Sequence, residues 1–541
     1  MPTTAWLKPP KPIDGQDHLG TIAVCEALYS QLLPGITNVT DRARCYSFYP
    51  WFIWRLEEAN LPKDPKLHTE LLRRAECLWC LIALAHENGG DSWEHGATLA
   101  GRNTLAPAWG DLAAGATLPL SRFAADGGEP GAYFQAAHGG FSAYYLGTLR
   151  NLQIADLENG FLRFYRQRGG PLAQALDDGV DGARFFAALQ EEAVSRETIL
   201  QLASFCPCHL TANPPEQQAL IQLFFNAPGI YHAPQQEARR ETLLLLLDLI
   251  GAARQSEDTS VSVETLRASL YSGALLDGHP WTLSPALQAA RERWAIYQRT
   301  DLLSVAVQTL FWGMLDGLQE EAAVLPNASA AAQWVLQRMG PQLGYDLALP
   351  FPALLDQVQR GLPPLGRADD PAHEIAKYRG LVALTRRRDN RSLAVQSAIA
   401  ILLALVARDR GAVDPHVGFA LEPGFVQRYP INLATLRHHA QTTWHGSTAG
   451  QVLTWLVEWV LDTHVRVALY KLRSERRDTF RIRPEHDGFH VIGPWRPAYS
   501  QPRLDPALQI LRDLGATTRT PAGGTALTAL GRTLRGGTPD A

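Results

Sequence analysis

Leu33-Pro34-Gly35-Ile36-Thr37-Asn38-Val39-Thr40-Asp41-Arg42-Ala43-Arg44-Cys45-Tyr46-Ser47-Phe48-Tyr49-Pro50-Trp51-Phe52-Ile53-Trp54 is a polar turn that runs directly into an aromatic wedge. Pro34-Gly35 closes one helix, Thr37, Asn38, Thr40 and Asp41 are natural N-caps, and Arg42 and Arg44 fall in the first turn of the next helix. Six aromatics then occupy the nine positions from Tyr46 to Trp54. Aromatic side chains carry the largest apolar areas, so this density predicts a keystone helix buried against several other elements, kinked where Pro50 removes a backbone donor. Free N–H groups at the helix start, together with Thr40, Arg42 and Arg44, make a candidate site for a phosphate or carboxylate. Capping alone accounts equally well for Thr40 and Asp41.

Outward from the keystone the pattern is helical. Leu19 to Leu33 carries one apolar face, and Lys66 to Glu87 is long and mostly apolar. Gly160 to Arg168, Gly182 to Val194, Gln236 to Arg254 and Glu374 to Leu384 read as further helices, and Leu283 to Leu318 as two. Gln342 to Pro371 reads as a Pro- and Gly-punctuated connection. Thr448 or Ser447 caps a helix running to about Arg477. No period-two run is recognised before residue 478; after it, Thr479 to Pro484 and Phe489 to Ile492 alternate around Asp487-Gly488 as a hairpin. The expected fold is mainly α, in three parts: residues 1–290 with the keystone, residues 291–478, and a small α+β module at 479–541.

The formal charge of -4 conceals an asymmetry: residues 465–535 carry a net +7 and residues 1–464 a net -10. A basic end on an acidic body favours a polyanion there and disfavours one elsewhere. Six lysines leave arginine as the dominant cation, a bias that codon usage in a GC-rich genome also produces. Met1 to Gly20 lacks an apolar signal core, and the longest uncharged apolar run is shorter than a bilayer span. The expectation is a soluble cytoplasmic protein of bacterial type.

Six cysteines in 541 residues do not make a disulfide scaffold. Cys77, Cys80, Cys206 and Cys208 have zinc-like spacing, with His209 able to replace one thiolate. The competing reading makes Cys77 and Cys80 small core hydrophobes, with no metal and no cofactor. Two polar clusters, His86-Glu87 with Asp91 and His95, and Arg437-His438-His439 with His445, read most simply as loop polarity, with acid/base groups of a nuclease or another hydrolase as the alternative. No G-x-x-x-x-G-K-[ST], G-x-S-x-G or H-E-x-x-H accompanies them.

The run Leu504-Asp505-Pro506-Ala507-Leu508-Gln509-Ile510-Leu511-Arg512-Asp513-Leu514-Gly515, then Thr517-Thr518-Arg519, Gly523-Gly524 and Ala526-Leu527-Thr528-Ala529-Leu530-Gly531-Arg532, resembles a winged-helix domain over about the last 40 residues. The resemblance implies a groove-reading helix carrying Gln509 and Arg512 and a wing carrying Arg519. The 479–492 hairpin and a Pro-rich loop stand where the family has two preceding helices. Arg473, Arg476, Arg477, Arg481, Arg483 and Arg503 add candidate phosphate contacts. A helical body with a winged end is similar to accessory subunits of bacterial anti-phage defence systems. The function expected is therefore a non-catalytic scaffold that binds duplex DNA and docks a catalytic protein partner; the alternatives are a nuclease of unfamiliar motif and a purely structural docking subunit.

Overall fold

From Thr300 to Leu318 every side chain is buried, and this run forms the middle of one unbroken helix, Pro285–Glu320. Two helices were expected there. Gly313 and Gly317 do not break it, because they serve packing: a Cβ on Gly313 would lie 2.4 Å from Val395 Cγ2, and one on Gly317 2.3 Å from the Trp334 ring. This computed structural model describes residues 17–87, 95, 99–125, 129, 131–253, 261–275, 278–409, 416–520 and 524–536. The protein is mainly α, with four two-stranded antiparallel sheets among the described residues.

Contacts divide the chain into two units, each assembled from separated segments. Met1–Leu32 with Ser256–Pro502 forms one; Leu33–Gln255 with Arg503–Ala541 forms the other. The expected boundaries at 290/291 and 478/479 do not coincide with this division. The stretch expected to be one module, 479–541, is split at Pro502, because its hairpin packs with the first unit and its last helices with the second.

In the first unit, Thr21–Leu32, Val263–Ser272, Glu374–Leu384 and Arg391–Arg408 surround Pro285–Glu320. Arg388–Arg408 is long and apolar enough to cross a membrane by length and composition, yet 61% of its apolar window is buried inside the protein. It is a core helix of this unit. Phe351–Gly361 is a helix inside the stretch expected to be connection. Thr448 caps Ala449–Glu475 through a reciprocal capping box with Gln451, as the pattern predicts. The hairpin pairs Ile482–Glu485 with Gly488–Val491.

Two buried histidines fasten this hairpin. His464 Nδ1 lies 3.1 Å from the His18 carbonyl, and its Nε2 accepts from the Arg481 N–H at 3.0 Å. His18 Nδ1 lies 2.9 Å from the Thr479 carbonyl while its Nε2 accepts from Arg481 Nε. Each ring therefore needs its neutral Nδ1–H tautomer, since protonation would remove the acceptor. Burial drives His464 down to about 4 and, with Arg481 and His464 nearby, His18 down to about 3. A histidine lowered in the fold contributes stability that is complete above its ordinary 6.5 and is lost as pH falls towards the folded value. For His464 alone the loss is on the order of 3 kcal/mol. Melting curves should show the advantage of wild type over His464→Gln shrinking between pH 7 and pH 4; a constant gap would contradict the neutral pairing.

In the second unit the keystone is the helix Cys45–Glu58, packed chiefly on Gly169–Asp177, with further contacts to Phe161–Phe164 and Pro65–Glu87. Tyr46, Phe48, Tyr49, Trp51 and Phe52 are all at most 2% exposed. Phe48 stacks on Trp79 at 4.1 Å, and Trp51 meets Phe185 and Phe205 at 5.3 and 5.0 Å. At about 2–3 kcal/mol for each fully buried ring, this cluster is a major part of the unit's core. Residues 155–164 form a hairpin, Ala155–Glu158 paired with Phe161–Phe164, where part of a helix was expected. Asn159 and Gly160, at φ 52° and 82°, make its two-residue turn. At the end of the chain, Leu504–Asp513, the strands Thr517–Arg519 and Thr525–Leu527, and Ala529–Gly536 follow the expected order and pack on Glu237–Ala253. Gly523 of the expected turn lies outside the described residues.

Candidate metal cluster and exposed basic face

Every residue of the polar turn singled out as an anion site is engaged inside its own unit. Thr40 is fully buried, its hydroxyl accepting from the Thr37 N–H at 2.7 Å. Arg42 pairs with Asp513 at 3.0 Å. Arg44 forks onto both oxygens of Glu216, 2.6 Å at the closest, and donates to the carbonyls of Ser204 and Cys206 at 2.6 Å each. The expected external anion is replaced by the protein's own carboxylates, which neutralise guanidinium groups only 1–2% exposed.

Ser204 lies in the short 3-10 turn Ala203–Phe205, and Cys206 joins that turn to the next, Pro207–Ala212. Trp79 donates its indole N–H to the Phe205 carbonyl at 2.8 Å, tying this segment to Pro65–Glu87 as well. So held, Cys206 and Cys208 meet His86, in the last turn of Pro65–Glu87, and His95. One donor atom from each of the four lies within 4.8 Å of every other. His95 Nδ1 is 3.3 Å from Cys206 Sγ, His86 Nδ1 is 3.1 Å from Cys208 Sγ, and the two sulfurs are 3.4 Å apart. His209 stacks on His86 at 4.7 Å from outside the four. The hydrogen bond with Cys206 lowers Cys208 to about 5 against the opposing effect of burial, helped by the imidazoles of His95, His86 and His209. The same hydrogen bond, with burial, raises Cys206.

The four-thiolate zinc alternative is corrected by this arrangement. Cys77 and Cys80 are fully buried in the Pro65–Glu87 helix and are not in the cluster, and burial raises both thiols, Cys80 to about 12. They behave as hydrophobes. His86 and His95, read as loop polarity with acid/base groups as the alternative, stand against the other two cysteines; Asp91 lies outside the described residues. In the other cluster Arg437 pairs with Asp409, which also holds Arg299. His445 lines a cavity of about 300 Å³ beside them, and His439 packs on Trp455 at 4.2 Å.

The nine residues expected at nucleic acid divide between the two units, Arg473 to Arg483 in the first and Arg503 to Arg519 in the second. Several are turned inward. Arg481 is 7% exposed and bonds His18; Arg483 pairs with Asp478. Arg503 donates to the Ile36 carbonyl at 2.8 Å. Gln509 bonds Arg512 and Asp513 at 2.8 Å each, on a helix whose other residues are buried apart from Asp505. The helix buries its apolar face in its own unit and carries Asp505, exposed, with Gln509 and Arg512, both half-buried, along its outer face at i, i+4, i+7 spacing. Arg519 is exposed on its strand.

Arg473, Arg476 and Arg477 are exposed at the end of Ala449–Glu475, where Arg476 adopts φ 54° as the cap. Arg466 and Tyr470 precede Arg473 at helical spacing, and Tyr470 is 62% exposed. Only Arg477 among these arginines has an ion pair, 3.6 Å from Glu475, among the described residues. Asp462 bounds the face on its N-terminal side, and Leu469 and Leu472 flank it, each 39% exposed. Charge counting includes Arg466 but cannot single it out; its i, i+4, i+7 relation to Tyr470 and Arg473 could have done so. No protein-family model, curated protein or solved structure matches this chain.

Proposed function

We propose that this chain is a non-catalytic, nucleic-acid-binding scaffold of a bacterial cytoplasmic assembly, contacting duplex DNA through the exposed end of Ala449–Glu475. The observation that carries the reading is the face formed by Arg466, Tyr470 and Arg473, continued by Arg476 and Arg477. Arginines that project from a helix meet phosphates well, and an exposed tyrosine adds contact with a sugar or base. In this reading the winged-helix-like end, its helix packed inward, serves its own unit and protein docking. The catalytic partner and the anti-phage setting rest on the resemblance of a helical body with a winged end. Leu469 and Leu472 favour a second reading, in which the same face docks a protein.

The test is DNA affinity against salt for wild type and for Arg466→Gln/Arg473→Gln/Arg477→Gln. Three lost phosphate contacts should flatten the logarithmic salt dependence by about 2–3. No binding by wild type, or an unchanged slope in the variant, would reject the DNA reading and leave protein docking.

A further inference from the structure

We infer that His86, His95, Cys206 and Cys208 form a closed, tetrahedral site for one zinc ion. Zinc bonds of about 2.3 Å to sulfur and about 2.0–2.1 Å to nitrogen give tetrahedral edges of about 3.3–3.8 Å. The contacts here, 3.1, 3.3 and 3.4 Å, lie at or just inside those edges. Two sulfurs and two nitrogens are a borderline-soft set that suits zinc and offers little to magnesium or calcium. A two-iron cluster of the Rieske kind uses the same four ligands but places both cysteines on one iron and both histidines on the other. Here Cys206 faces His95 and Cys208 faces His86, which interleaves the donors around one point. His95 is 3% exposed, and its Nε2 has no hydrogen-bond partner among the described residues, so hydrogen bonding among them does not account for the burial of this imidazole.

Four protein ligands leave no open position, which makes the centre structural. It fastens the last turn of Pro65–Glu87 and His95 to the 203–212 segment, more than 100 residues away in sequence. The surrounding supports are already built: Arg44 and Trp79 hold the carbonyls of Ser204, Phe205 and Cys206, and His209 stacks on a ligand ring. This inference is independent of DNA binding.

The experiment is elemental analysis of the full chain purified without chelator, followed by removal of metal and titration with cobalt(II). The expected result is one zinc per chain, and a cobalt spectrum with tetrahedral d–d bands and thiolate charge transfer. Cys77→Ala/Cys80→Ala should keep the metal and Cys206→Ser/Cys208→Ser should lose it. Since the serine variant can fail to fold, the wild-type cobalt spectrum decides independently. Wild type that takes up neither metal, cobalt bound octahedrally, a Cys206–Cys208 disulfide in the metal-free chain as purified, or metal lost from Cys77→Ala/Cys80→Ala would each overturn the assignment.

Discussion

Arg44→Met is expected to lower the stability of the unit Leu33–Gln255 with Arg503–Ala541 by about 3–5 kcal/mol, the cost of leaving a buried carboxylate without its cation. The side chains of Arg44 and Glu216 are 1% and 0% exposed, so water cannot replace the missing partner. Glu216 also accepts from Ser47 at 2.6 Å and from Asn213 at 3.2 Å, contacts too few and too weak to stabilise a bare charge. The variant further frees the carbonyls of Ser204 and Cys206, which Arg44 holds beside the cluster of His86, His95, Cys206 and Cys208. Glu216→Leu should cost a similar amount, because it strands the guanidinium instead. Arg44→Met/Glu216→Leu should cost clearly less than the sum, since removing both charges removes the uncompensated desolvation. Urea denaturation of the four proteins measures this coupling; additive costs, or a loss under about 1 kcal/mol for Arg44→Met, would show that the pair is not what joins the keystone to the 203–216 segment.

The same pair shows how far the sequence could be read. Aromatic density from Tyr46 to Trp54 announces burial whatever the partners are, and five of the six rings are core, Trp54 alone being half-buried. Burial then dictates what happens to the arginines just before them. Guanidinium groups beside a buried wedge must find carboxylates within the protein, and Glu216 and Asp513 come from 172 and 471 residues away. Local pattern marks the need without identifying the partner. Cys206-x-Cys208 was visible as a ligand pair, whereas its completion by His86 and His95 depends on tertiary packing that brings together residues more than 100 positions apart. Cys77-x2-Cys80 had the better spacing but sits on the apolar face of a helix, where burial takes precedence over motif. The hairpin at 155–164 is a different kind of miss. Asn159-Gly160 is a strong turn signal, but strands of four residues are too short for alternation to outweigh the apolar spacing of Phe161, Leu162 and Phe164. The basic end shows the limit of counting charge: its sign is legible, but the inward turn of Arg481 and Arg503 is set by packing.

Glu76→Ala is expected to be the most damaging single change in the same unit, at about 4 kcal/mol or more, because it strands four donors at once. Glu76 is 3% exposed and accepts from Tyr133 at 2.5 Å, from Tyr49 at 2.9 Å, and from the N–H groups of Gly140 and Phe141 at 2.8 Å each. It therefore joins the Pro65–Glu87 helix to the keystone and to the start of the π-helical turn Phe141–Tyr145. Burial is the largest influence on this carboxyl and raises it above 4.5, against the lowering effect of those four hydrogen bonds. A carboxyl raised in the fold contributes most below its unfolded value of about 4.5, and the contribution declines as pH rises through the folded value. Each oxygen takes one tyrosine hydroxyl and one backbone N–H, Tyr49 and Phe141 on Oε1, Tyr133 and Gly140 on Oε2, so protonation is tolerated because the hydroxyl facing the protonated oxygen can rotate to accept. Glu76→Gln separates charge from shape. In either orientation its amide NH2 faces one backbone N–H that cannot turn, so it should cost about 2–3 kcal/mol near pH 7. That gap should widen towards pH 4, where wild type gains and the amide does not titrate. Denaturation of wild type and Glu76→Gln across this range gives the difference directly. A gap that narrows on acidification would mean that the ionised form is the one the fold prefers, and that the four hydrogen bonds outweigh burial.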